Sequence, residues 1–361
     1  MRTWCLTLIL AVSGVSQASA GTANEPPPAP ETILSIPPNL HAALRQAVSD
    51  RSTSPQARLD LLMTFLFDPQ QGLGMTYDHT ATLTVEAAYR TRKANCLTFT
   101  LLTLALAREL GLDAEAHHID EVLSWRQENL HLVRSNHVNT GVRVQQRRYT
   151  IDVASNDILT RASPHPISDD ALLAMYYSNR AMDFAIAGNY VDASPYMAIS
   201  LELDPGSPGG LNNAGVVALH SGDMPGAERH YRAALARAPD HLGALANLSQ
   251  LYERQGHADR AQQLRARSAR VLARDPFHHF MAGHQAEGAG DSRRAVDHYR
   301  RAVRLLPAEH RFHFALARVL LQQGDTRQAI RALTQARKRA DAGSGAFYQA
   351  KLDRLRSSAG R

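Results

Sequence analysis

Cysteine is almost missing from this chain: Cys5 and Cys96 are the two among 361 residues. A disulfide framework is thereby excluded for any product that loses the first, and a lone thiol asks for another reason to be there. Lysine is nearly as scarce. Only Lys93, Lys338 and Lys351 are lysines among forty basic residues, although the net charge is +6. The arginines are scattered along helical segments with no interleaved aromatics, so no nucleic-acid partner is expected. Weak attraction to anionic envelope surfaces is what the charge leaves. Long apolar runs are lacking too. The run inside MRTWCLTLILAVSGVSQASA follows an early Arg2 and ends in Ala18-Ser19-Ala20. It reads as a secretory signal over residues 1–20, too short to span a bilayer. The expected mature product is exported, periplasmic in a cell with two membranes, and without an integral membrane segment.

What is present divides the chain. Residues 21–38, GTANEPPPAPETILSIPP, are proline-rich and read as a linker or tether. Residues 39–166 mix helical and strand-like patterns. From Ala174 onward the pattern is helical throughout.

That second half repeats. Gly188, Gly222, Gly256, Gly290 and Gly324 stand 34 residues apart. Five positions after each is Ala193, Ala227, Ala261, Ala295 or Ala329. Twelve after stand Ser200, Ala234, Ser268, Ala302 and Ala336, and seven before stand Ala181, Gly215, Ser249, Gly283 and Ala317. Small residues at fixed offsets from a turn glycine let two helices approach closely. Pro205, Pro239 and Pro307 stop the second helices, while Pro276 falls three residues late and predicts a longer second helix in the third unit. The pattern resembles tetratricopeptide repeats: five over 174–343, then a capping helix and tail over 344–361. The resemblance implies a solenoid whose concave face binds a protein or peptide partner.

The chemistry is expected in the first half. Leu97 to Gly111 reads as a helix with Asn95 as N-cap and Gly111 as a left-handed cap, placing Cys96 at its start. Unpaired amides and the helix dipole favour a thiolate there, and the same amides suit an oxyanion. A base must come from another element. In NHVNTGVRV (136–144) and YTIDVAS (149–155), alternation puts Val138, Val142 and Val144 on one face and His137 on the other, with Asp152 on the face of His137. A turn centred on Val144 and Gln145 sets His137 directly across from Asp152. A turn centred on Gln146 and Arg147 separates them by four residues, about 13 Å.

The segments TLTVEAAYRTRKANCLTFTLLTLALARELGLDAE, SNHVNTGV and YTIDVAS together resemble the transglutaminase-like superfamily of papain-related cysteine enzymes. The fold class expected is therefore an α+β transglutaminase-like domain followed by an all-α tetratricopeptide-repeat solenoid. The resemblance implies a catalytic triad of Cys96, His137 and Asp152, in that order, working through a thioester toward hydrolysis or acyl transfer. Ala94 departs from the family's glycine two residues before the cysteine, and Trp125 is a candidate for lining the cleft. No cofactor is expected. The histidines His117, His118, His278, His279, His310 and His313 lack a further ligand at established spacing, so no metal is expected either. The rival expectation is a catalytically inactive scaffold with the same two parts, assembling envelope proteins.

Overall fold

The structure, a computed structural model, describes residues 26–126, 131–153, 158–160 and 163–359; the expected signal segment lies outside them. Three helices open the first half: α1 (Pro30–Ile33), α2 (Pro38–Leu44), which runs on as a π-helical turn over 45–49, and α3 (Pro55–Phe67). Each begins on proline, where the missing N–H costs nothing. A short parallel pair follows, β1 (Thr76–Tyr77) with β2 (Lys93–Ala94), bracketing α4 (Val85–Thr91).

Next comes α5 (Cys96–Glu109). Its Leu97, Phe99, Leu101, Leu102, Leu104 and Leu106 are all buried, so it is apolar nearly all round and forms the centre of the core. It ends as expected: Gly111 has φ +72, its N–H donates to Arg108 O, and Leu112 N donates to Ala107 O. The antiparallel sheet is built from β3 (Asp113–Arg126), β4 (His131–Val144), β5 (Arg147–Ile151), β6 (Ile158–Thr160) and β7 (His165–Ile167). Its order is β5-β4-β3-β6, with β7 also paired to β3.

The β4–β5 hairpin takes neither register considered from the sequence. Val144 pairs with Arg147 across a two-residue turn at Gln145 and Gln146, and Thr140 pairs with Ile151. Continued by one residue, that register sets Asp152 across from Asn139, two positions from His137. The offset is about 7 Å along the strand, within side-chain reach.

A second correction concerns the proline-rich segment. Its described part, 26–38, is no free tether: Ile33 is fully buried, Leu34 and Ile36 pack on the core, and Tyr177 Oη donates to Pro28 O.

The repeats are five helix pairs: α6 (Asp169–Ile186) with α7 (Tyr190–Leu203), α8 (Pro208–His220) with α9 (Met224–Arg237), α10 (Leu242–Arg254) with α11 (Ala258–Ala273), α12 (Pro276–Gly288) with α13 (Ser292–Leu305), and α14 (His310–Gln322) with α15 (Thr326–Arg339). A last helix, α16 (Ala342–Ala359), packs on α15. All five turn glycines have φ between 77 and 89, and the alanine five residues on is fully buried in every repeat. The third second-helix, α11, is indeed longer, 16 residues against 14 in the others.

Size is matched where the paired helices cross. A Cβ on Gly283 would sit 2.7 Å from the Tyr299 ring, and Gly215 is crowded in the same way by Tyr231. The two equivalent alanine positions, Ala181 and Ala317, fall opposite the smaller Met197 and Leu333 by repeat position. One apolar core runs from Ile33 through α5 and the sheet to α6, α7 and α8, ending at Val217. A separate cluster fills α12 to α16.

Candidate active site

The start of α5 is held by its own N-cap and by the preceding loop. Asn95 Oδ1 accepts from Thr98 N at 2.8 Å, and Asn95 Nδ2 donates to Thr82 Oγ1 at 2.9 Å. Thr98 Oγ1 donates to Ala81 O at 2.7 Å and accepts from Leu83 N at 2.8 Å. Cys96 is therefore the first residue of a pinned helix, a free and half-buried thiol. Ala94, which replaces an expected glycine, is an extended, fully buried strand residue. The left-handed turn residue is Arg92, φ +59, two positions earlier. Alanine at 94 therefore meets no backbone conflict.

His137 comes to this helix end from β4. Its ring is buried, Nε2 lies 2.7 Å from Asp152 Oδ2, and the Cys96 sulfur lies near enough to bear on its titration. With Nε2 facing the carboxylate, Nδ1 is the nitrogen left for sulfur. Burial alone would lower the His137 pKa; the hydrogen bond to Asp152, the neighbouring Cys96 sulfur and the Asp152 charge outweigh it and raise it to about 9. The structure thus puts His137 in direct contact with Asp152 and sets Cys96 near the ring.

A fourth residue escaped the sequence reading. Asn139 is buried, and its Nδ2 donates to Asp152 Oδ2 at 3.3 Å, the same oxygen that faces His137. The available signal was its place on the His137 face of β4, two residues on. Next to it, His117 pairs with Asn139 across β3–β4, reaches Glu115 Oε1 at 3.1 Å through Nε2, and lies over Gly141 so closely that no Cβ fits.

The remaining histidines make structural contacts. His118 meets His165 edge-on, with ring centroids 5.5 Å apart. His278 packs edge-on against His279, whose Nδ1 lies 3.3 Å from His298 Nδ1. His310 Nδ1 lies 2.9 Å from Tyr348 Oη, and His313 Nε2 2.9 Å from Pro307 O. Among the described residues no three His, Cys, Asp or Glu side chains gather as a metal site would require. The side chain of Trp125 lies outside the described residues.

Family models for the tetratricopeptide repeat match residues 178–241 and 280–346, and another matches 218–276. The helical half is a tetratricopeptide-repeat array. Such repeats are protein-interaction units. A curated relative, cellulose synthase operon protein C of Pseudomonas fluorescens (strain SBW25), is 31% identical over 201 residues, 52% of this chain. The chain spans only 16% of that relative's length. Among solved structures, Pseudomonas aeruginosa PilF is 16% identical with a TM-score of 0.28, covering 52% of this chain and 94% of its own. A thermophilic repeat protein of Thermus thermophilus is 20% identical with a TM-score of 0.26, covering 50% and 98%.

Proposed function

We propose that this chain joins a protein-binding repeat array to a thiol centre for amide hydrolysis or acyl transfer, and that it works after export. The observation that carries the catalytic half is the buried His137, held at 2.7 Å by Asp152 and set near a cysteine that begins a helix. The resemblance of residues 75–155 to transglutaminase-like cysteine enzymes supports the same reading. In the proposed reaction His137 holds the proton from the Cys96 thiol, and the sulfur attacks a carboxamide or peptide carbonyl. First-turn amides of α5 not taken by the Asn95 cap face the developing oxyanion. The C–N bond breaks as His137 returns its proton to the leaving amine, leaving a thioester on Cys96. Water then gives the acid, or an amine gives a new amide. Asp152 orients the ring and offsets its charge, with Asn139 fixing the carboxylate.

The partner is proposed to be a protein segment lying along the first helices of the pairs. There Asn179, Asn213 and Asn247 recur 34 residues apart, and Asn213 and Asn247 make equivalent bonds to Ser178 and Asn212 in the preceding repeat. The second reading, a scaffold with no catalysis, is favoured by the family matches, which bear on the repeats alone. A small thiol-reactive electrophile separates the two. Under the catalytic reading Cys96 is labelled in native protein across pH 5–9, and His137→Ala changes the pH dependence. Labelling with an ordinary thiol profile, indifferent to His137→Ala, leaves the scaffold reading standing.

A further inference from the structure

Charge in the array is sorted by helix. The second helices of repeats two to five, α9, α11, α13 and α15, carry seventeen arginine or lysine residues against three acids, a net of +14. The whole chain is only +6, so the rest is net negative at −8. The corresponding first helices, α8, α10, α12 and α14, hold three basic residues against two acids. The bias is not uniform along the array either: α7, in the first repeat, has no basic residue.

The buried side of each second helix holds small and apolar residues, such as Ala295, Val296, Tyr299 and Ala302 on α13. All of these helices' arginines and lysines except the half-exposed Arg267 and Arg300 are exposed, and on α11 Arg265 and Arg267 pair with Glu253 and Asp240. Arg293, Arg294, Arg301, Arg304, Arg327 and Arg331 are all exposed, and none has an acidic partner among the described residues. At α9 the exposed Arg229 and Arg232 have only distant partners, at 3.8 Å. Like charges packed this densely repel one another, so the face lowers its energy by meeting an anion. Its chemistry favours phosphate: guanidinium groups pair phosphate oxygens through two parallel bonds. The aromatic residues of these helices, Tyr231 and Tyr299, are buried in the crossings and offer no surface for stacking bases.

We propose that the outer side of α9, α11, α13 and α15 docks on an anionic phospholipid surface, leaving the first helices free for a protein partner. The attraction is to headgroup phosphates, with no apolar insertion.

Co-sedimentation of the full chain with vesicles tests this. Binding is expected to vesicles of phosphatidylcholine with about 30% phosphatidylglycerol and not to phosphatidylcholine alone, and to fall at least tenfold between about 50 and 300 mM salt. Replacing Arg293, Arg294, Arg301 and Arg304 by Glu is expected to weaken it about a hundredfold or more. Replacing the same four by Lys retains most of it, and circular dichroism with thermal melting checks that each variant is folded. If the glutamate variant does not fold, Arg327→Gln with Arg331→Gln replaces it, with an expected loss of about tenfold. Equal binding to both vesicle types, binding to neither, or vesicle binding unchanged in the folded charge variants overturns the proposal. So does duplex DNA displacing the protein from vesicles at equal phosphate concentration, which assigns the face to nucleic acid.

Discussion

Replacing Asp152 by Asn removes the charge next to His137 while keeping the side chain's size. In the native protein the ring is 5% exposed at its side chain and its pKa is raised from 6.5 to about 9. That rise corresponds to about 3 kcal/mol favouring the imidazolium, the net of opposing burial and partner effects. With the carboxylate gone, burial remains and the pKa is expected to fall steeply. Cys96→Ser removes the weaker partner and lowers it less. The measurement is a pH titration of carbon-13-labelled histidine by NMR, with the His137 resonance assigned by its loss in His137→Asn. Because the folded pKa is raised, the stabilisation is complete below pH about 6.5 and is lost as pH climbs through about 9. The gap in urea-unfolding stability between wild type and Asp152→Asn is thus widest just below pH 6.5, where Asp152 is ionised and His137 protonated, and closes toward pH 9. A wild-type His137 titrating at or below 6.5, or one indifferent to Asp152→Asn, would refute this account.

Asn95→Ala removes both the cap on Thr98 and the bond to Thr82, with an expected loss of about 1–2 kcal/mol by chemical denaturation and a changed rate of Cys96 alkylation. Gly141→Ala drives a methyl into the His117 ring, and calorimetry should show a lowered Tm, because the buried strand has little room to yield. Gly283→Ala pits a helix-propensity gain of about 1 kcal/mol against overpacking of about 1–3 kcal/mol on Tyr299. A double-mutant cycle with Tyr299→Leu should show favourable coupling, and additivity within about 0.5 kcal/mol would count against the crossing as described.

The helical array was legible because its determinants are local. A glycine at each turn and a small residue at each crossing recur at fixed offsets, and period alone reveals them. The start of α5 was readable for the same reason: Asn95, Cys96 and Gly111 are punctuation that acts on the adjacent backbone. The hairpin register was not, since Val144-Gln145-Gln146-Arg147 contains neither glycine nor asparagine to announce a turn. The structure accepts Gln145 at φ +57 to obtain it. Asn139 was missed because its role depends on that register. The burial of Ile33 was missed because proline content describes the local chain and says nothing of the surface it lands on.

The core shared between the first unit and α6, α7 and α8 has a consequence for cutting the molecule. A truncation at the compositional boundary near Ala174 would leave Leu172 and Leu173 at a raw end and strip away Tyr176, Tyr177 and Tyr196, all buried in that core. The natural seam lies farther along, near Arg274 and Asp275, beyond which the distal helices have an apolar cluster of their own. Fragments joined at that seam, with distal repeats exchanged for others, would keep the thiol centre on its original footing while changing what the arm holds.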